Sequence, residues 1–348
     1  MVKALAFAVP GELTIPTGGY GYARRIIAEL NELGWDVQVL NLGTEFPWPS
    51  PRTLARAESA LRAVPGQVPL IIDGLAYGVL PDIAQQLRQT HCLTALVHHP
   101  LALETGLQTG QRAALHASEE AALSSARHVI VSSGTTKELL VSDFKVASER
   151  VSVVSPGTDA CPSYVQRSNE HVRLLAVGSV VPRKGYDLLV AALARVRDLA
   201  WTLVIAGDCS RSPETVRGLE GEIARLDLGE RVVLRGAVSP EAVAALYDAS
   251  DIFVLPSRYE GYGMAYAEAI AHGLPVIGTA AGAVPETVPE NAGILIPVDD
   301  VHALACALRR LIQDPAEREK LAAGARASRF PAWREQARKF AEILESVG

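Results

Sequence analysis

Hydrophobic positions along the chain fall in short unbroken runs separated by longer stretches of helical period. That alternation predicts parallel strands covered by helices, an α/β architecture. In the first half the runs occupy residues 4–9, 37–40, 70–73, 94–98, 129–132 and 151–154. Between the first two, Ile26, Ile27, Leu30 and Leu33 share one helical face, and Gly34 reads as the helix stop. Residues 45–51 are Pro-rich and aromatic and read as a loop. A second series begins near Arg173, with strands expected at 174–177, 203–206, 232–234, 252–255 and 276–277. Helices are expected between them at 187–196, 216–226 and 241–249, and the chain after Asp299 is helical to its last amphipathic stretch, 333–347. Residues 159–171, with Pro162, Ser163, Ser168 and Asn169 and little periodicity, read as a linker. The pattern therefore predicts two α/β units in succession, each binding ligands beyond the carboxyl ends of its strands.

Composition narrows this picture. A chain of 348 residues matches two domains of about 100–200 residues each. Hydrophobic residues at 49% and charged residues at 21% exclude disorder and coiled coil. A net charge of −6 and an aromatic content of 5% argue against nucleic acid, which needs basic surface and stacking platforms. The four cysteines, Cys92, Cys161, Cys209 and Cys306, form no C-x-x-C pair, so a disulfide framework or zinc site is not expected and a reducing cytoplasm is. The N-terminal apolar run is too short for a signal peptide or a membrane span. Arg24 and Arg25 are followed by Glu29 and Glu32 on one helix, which reads as a solvated face rather than a membrane contact.

Candidate chemistry concentrates in residues 251–278. A buried run ends at Leu255, and the loop Pro256-Ser257-Arg258-Tyr259-Glu260-Gly261-Tyr262-Gly263 leads into a helix that Gly273 stops. Gly261 and Gly263 permit close backbone approach to a ligand, and a helix N-terminus offers free N–H groups to an anion. Glu260 is expected to project from the loop and Glu268 to sit one to two turns into the helix; both can accept hydrogen bonds from hydroxyl groups. Taken as an isolated pair they read more readily as a solvated helix residue and a charge favoured by the helix dipole. Their setting, between Pro-Ser and His-Gly-x-Pro-Val, favours a ligand. A second loop, Gly178-Ser179-Val180-Val181-Pro182-Arg183-Lys184-Gly185, places adjacent Arg and Lys after a strand, which suits a diphosphate. A third, Thr17-Gly18-Gly19-Tyr20-Gly21, is a glycine-rich turn opening a helix, without the full dinucleotide fingerprint. His98 and His99 end the fourth run, and side chains that alternate along an extended chain do not chelate one metal.

The 251–278 segment resembles the C-terminal signature of glycosyltransferase family 4, retaining enzymes of the GT-B fold. Its Glu, seven residues, Glu spacing and the surrounding Pro-Ser, Gly-Tyr-Gly and Gly-x-Pro-Val elements match almost letter for letter. The resemblance is specific over residues 173–297 and weaker across the first half. It implies two facing Rossmann-like domains with a central cleft: an acceptor-binding domain over 1–165, completed by a returning helix at 331–348, and a donor-binding domain over 170–330. It further implies that Glu260 lies by the donor sugar, that Glu268 holds the nucleotide ribose, and that Arg183 and Lys184 hold the departing diphosphate beside Gly178. Gly18 and Gly19 would face the donor, and a histidine near the anomeric centre would be His98, with His99 open. Arg235 would stand in a base-binding loop, Gly261, Tyr262 and Gly263 along the donor, and Glu286 near the sugar, in an element where Ala281 replaces a glycine.

The expected activity is a retaining, metal-independent hexosyl transfer from a UDP- or GDP-linked sugar to a hydroxyl acceptor: a small molecule, lipid or glycan end. Same-face attack, with the leaving phosphate taking the acceptor proton, requires no protein nucleophile and no cofactor, and the sequence has no Asp-x-Asp cluster. The alternatives are a disaccharide synthase or phosphorylase, a non-catalytic sugar-nucleotide binder, and a nicotinamide oxidoreductase, for which Asp36 is tolerably placed but the glycines are wrong.

Overall fold

A computed structural model describes residues 3–159 and 171–347. The chain divides into two compact units, Met1–Gly157 with Pro331–Gly348, and Thr158–Phe330. The expected boundary at 165–170, and most of the expected linker, lie outside the described residues.

The first unit contains β1 (Lys3–Val9), β2 (Trp35–Asn41), β3 (Leu70–Asp73), β4 (Leu93–Val97), β5 (His128–Val131) and β6 (Val151–Val153). They pair in parallel in the order β2-β1-β3-β4-β5-β6. The central strands are buried along their length, which is why they read as continuous apolar runs rather than alternating ones. Their sequence order reverses between β1 and β3, so the open crevice at the carboxyl ends falls there. The helix Gly18–Glu32 follows β1, and Gly34 at φ +87° ends it. The loop expected through residue 51 is shorter in the structure, because Ser50 caps a helix, Pro51–Arg62, that has Pro at its first position. The helix Trp333–Val347 belongs to this unit, where Trp333 is buried against the ring edge of Tyr22 at 5.9 Å between centroids.

The second unit contains β7 (Val172–Val177), β8 (Trp201–Ala206), β9 (Val232–Gly236), β10 (Ile252–Leu255), β11 (Val276–Thr279) and β12 (Gly293–Ile296). The order is β12-β11-β10-β7-β8-β9, again parallel throughout. Renumbered within the unit this is the Rossmann order, and its switch point lies between β7 and β10. Helices Tyr186–Ala194, Pro213–Arg225, Val301–Gln313 and Pro315–Ala327 bury their apolar faces in one core with Trp201, Phe253 and Tyr266. β12 was not expected from sequence: it is a four-residue edge strand, half-exposed, and too short to carry a period of its own.

Candidate functional site

The switch point of the second unit brings two of the sequence-predicted loops together. After β7 the chain passes Gly178 and makes one tight turn, Pro182–Lys184, before Gly185 opens the next helix. Gly185 has φ +67°, and a Cβ there would lie 2.1 Å from the Pro256 carbonyl oxygen, so this contact between the loops after β7 and β10 requires glycine. Arg258, which the sequence reading left without a role, fastens the same contact. Its backbone N–H donates to the Arg183 carbonyl at 2.7 Å, and its guanidinium reaches the Pro182 carbonyl, Asp187 and Asp299 at 2.6–3.1 Å.

Glu260 departs from expectation. It is buried at 7% exposure instead of projecting from its loop. Lys184 Nζ donates to its Oε1 at 2.6 Å, Ser257 Oγ donates to the same oxygen at 2.6 Å, and Arg183 Nη1 lies 3.4 Å from Oε2. Burial alone pushes this carboxyl up, but Lys184, Arg183 and the hydrogen bonds of Lys184 and Ser257 outweigh it and hold the group at about 2. Arg183 also donates to the Tyr259 carbonyl at 2.8 Å. Two cations and one carboxylate thus share a nearly closed site, an excess of one positive charge at the carboxyl end of the sheet.

The element Ala281-Gly282-Ala283 closes on the backbone of Glu260. Ala283 N–H donates to the Glu260 carbonyl at 2.9 Å, and a Cβ on Gly282 would lie 2.2 Å from that oxygen. Thr287 Oγ1 donates to the Tyr262 carbonyl at 2.6 Å, which ties the short helix Val284–Thr287 to the Gly261-Tyr262-Gly263 segment. Glu286, exposed on that helix, is close enough that its charge adds to burial in raising the Tyr262 hydroxyl to about 12. Gly263, at φ +93°, caps the helix Met264–Ala271 without any side-chain bond to its free N–H groups.

Glu268 lies just over one turn into that helix, half-buried, and accepts a hydrogen bond from Tyr247 Oη at 3.0 Å. Tyr247 is fully buried; its hydroxyl is raised first by burial and then by the Glu268 charge. Its ring stacks on His272 at 5.0 Å, and His272 Nδ1 lies 2.8 Å from Asp248. Glu268 is therefore a held side chain, not a freely solvated one. Arg235 stands apart: it is the exposed penultimate residue of β9, inside the strand rather than in the loop after it, two strands from β7.

In the first unit Gly18 and Gly19 open the helix that Thr17 caps, its Oγ1 accepting from Tyr20 N–H at 3.4 Å. A Cβ on Gly19 would come within 3.2 Å of the His98 ring, so these two candidates are in contact. His98 Nε2 is buried without a hydrogen-bond partner and lies 3.6 Å from Asp73 Oδ2, at the end of β3. Tyr22 meets the His98 ring edge-on at 5.2 Å and donates to the Val154 carbonyl at 3.0 Å. His99 instead faces Glu104, with Nε2 3.6 Å from Oε2. Of the two histidines, His98 is the one packed against the glycine-rich turn. The sequence signal for Asp73 is an acidic residue closing the apolar run Leu-Ile-Ile-Asp.

Residues 165–328 match the family model described as glycosyl transferases group 1. That match lies within the second unit, Thr158–Phe330, apart from its share of residues outside those described. Similarity to curated members of such enzymes extends further. An MMP alpha-(1->4)-mannosyltransferase of Mycolicibacterium hassiacum is 28% identical over 294 residues, covering 79% of this chain and 69% of that protein. A D-inositol 3-phosphate glycosyltransferase of Xylanimonas cellulosilytica is 32% identical over 243 residues, and the match spans 65% of this chain and 58% of that protein. The sucrose-phosphate synthase structure from Thermosynechococcus elongatus superposes with a TM-score of 0.85 over 99% of both chains at 24% identity. That likeness gives the fold as GT-B, two Rossmann-like units in tandem.

Proposed function

We propose that this chain transfers a hexosyl group from a UDP- or GDP-linked sugar to a hydroxyl acceptor with retention of configuration. The observation that carries the reading is the Arg183–Lys184–Glu260 cluster at the Rossmann switch point, where a nucleotide diphosphate belongs. Cleavage of the glycosidic bond leaves growing negative charge on the diphosphate. Fixed cations in a site with little water stabilise that charge more in the transition state than in the bound donor. Arg183 and Lys184 perform this in place of a metal ion, and the uncapped helix at Met264 adds its free N–H groups. Glu260 keeps both cations charged and aimed before the donor arrives.

Glu268, steadied by Tyr247, accepts hydrogen bonds from the ribose hydroxyls; Gly261, Tyr262, Gly263 and Glu286 line the sugar, and Arg235 borders the base. In the first unit, Gly18 and Gly19 approach the donor, and the unpartnered Nε2 of His98 receives a hydroxyl hydrogen bond near the anomeric carbon. The acceptor hydroxyl attacks from the face the diphosphate leaves, and its proton passes to the departing phosphate oxygen. Acceptor binding belongs to the first unit and donor binding to the second. Among the described residues no helix is long and apolar enough to cross a membrane; this reading places the protein in the cytoplasm, where nucleotide sugars are made.

A thermal-shift screen with UDP-, GDP- and ADP-linked hexoses tests the proposal. At least one should raise the melting temperature by several degrees and be slowly hydrolysed without acceptor; binding to none of them sinks it. A Tyr247→Phe variant should bind that nucleotide roughly fivefold more weakly, the worth of about one hydrogen bond of 1 kcal/mol. Calorimetry reads this directly, and an unchanged affinity removes Glu268 from the nucleotide site.

A further inference from the structure

Glu119 is the most deeply buried carboxyl of the first unit outside the residues already discussed, with 1% exposure on the helix Thr109–Ser125. Its Oε2 accepts the Leu101 backbone N–H at 2.8 Å, and its Oε1 is buried without a partner. The stem fits only because residue 78 is glycine: a Cβ there would lie 3.2 Å from Glu119 Cγ and 2.8 Å from Leu101 Cδ1. A residue needed only to fill this space would be apolar, since an incompletely bonded buried carboxyl opposes folding. The polar group sits where it meets the turn Leu101–Leu103.

That turn ends the segment carrying the histidines. β4 stops at Val97, and the His98 carbonyl accepts Ser132 Oγ at 3.2 Å. Three residues later Glu119 takes the Leu101 N–H, and Leu101 itself is buried. His98, His99 and Pro100 are thus held between two side-chain clamps from different helical connections, and the exit clamp is Glu119.

We propose that Glu119 is a positioning residue that fixes the His98–Leu101 segment and so places the His98 imidazole against Gly19. The consequence for catalysis rests on the transferase reading above; the positioning itself does not. Glu119→Gln keeps an acceptor oxygen for Leu101, whereas Glu119→Met keeps the volume and removes the acceptor. Hydrogen–deuterium exchange over residues 98–104 should rise at least tenfold in Glu119→Met and stay near wild type in Glu119→Gln. Transfer should follow the same order, with kcat down tenfold or more in the methionine variant, donor KM unchanged, and glutamine restoring the rate. Unchanged exchange over 98–104 in a folded Glu119→Met overturns the proposal. If that variant does not fold, exchange of the Leu101 amide in the wild-type protein decides: slow exchange supports the clamp and fast exchange refutes it. If exchange changes as expected but no nucleotide sugar is turned over by the wild type, the transferase reading fails and the positioning stands.

Discussion

A Lys184→Met variant is expected to lose turnover and stability together, and a Lys184→Met/Glu260→Gln double variant to regain part of the stability and none of the turnover. Lys184 and Glu260 form a charge-assisted hydrogen bond of 2.6 Å with both side chains nearly closed to solvent. Removing one partner of such a pair leaves the other charge buried, which costs about 3–5 kcal/mol when nothing else compensates. Arg183, 3.4 Å from the other carboxylate oxygen, compensates in part, so the single variant should lose about 2–3 kcal/mol. Neutralising Glu260 as well removes the buried carboxylate but takes the counterion from Arg183, so the double variant should regain only part of that loss. Catalysis should not return, because the cation that meets the leaving diphosphate is still missing; about 100- to 1000-fold in kcat is the usual worth of one such contact. Denaturant unfolding and single-turnover donor cleavage on the three proteins separate the two effects. Recovery of turnover in the double variant would show that Lys184 serves only to neutralise Glu260. The pair also has an acid signature. Glu260 is held at about 2 against an ordinary value of 4.5, so its stabilisation is fully present above 4.5 and is lost as pH falls towards 2. The double variant should therefore unfold less steeply than wild type across that window.

The loops of this site were legible in the sequence because each is contiguous: adjacent Arg and Lys, or Glu-Gly-Tyr-Gly, need no knowledge of what lies across the sheet. The strands were legible because β3, β4 and β10 are buried on both faces and read as unbroken apolar runs. What stayed hidden depends on partners far apart in the chain. Lys184 and Glu260 are separated by 76 positions, so no local pattern announces that a loop carboxylate turns inward as their shared counterion. Tyr247 reaches Glu268 from a different helix, and Arg258 reads as one more loop charge until its four partners from three segments are in place. The helix Pro51–Arg62 was obscured for a different reason. Pro47, Pro49 and Pro51 look alike in sequence, yet the last sits where a helix tolerates it. In Glu119-Glu120 two identical neighbours have opposite fates, one buried and one paired with Lys145 at the surface, and only the tertiary packing chooses between them.

That choice gives Glu119 the second large effect, on the pH dependence of stability. Burial, opposed only weakly by the Leu101 N–H bond, raises its carboxyl from 4.5 to about 8. Between those values the folded chain holds a proton that the unfolded chain has released. Stability from this group is therefore greatest below 4.5, falls as pH rises towards 8, and is constant above it. At pH 8 the disadvantage reaches at most roughly 4–5 kcal/mol relative to a neutral side chain of the same shape. Glu119→Gln supplies that side chain. The variant and the wild type should have similar unfolding free energies at pH 4.5, and the variant should gain steadily above it. By pH 8 to 9 its advantage in melting temperature should be on the order of 10 °C, given about 2–4 °C per kcal/mol for a unit of this size. Denaturant titrations of both proteins at four pH values between 4.5 and 9 measure the difference. Parallel curves would mean that Glu119 is ionised in the folded chain throughout, with a cation or water supplying the partner its Oε1 lacks. Diverging curves would establish that the group clamping the Leu101 turn does so as a neutral acid at neutral pH.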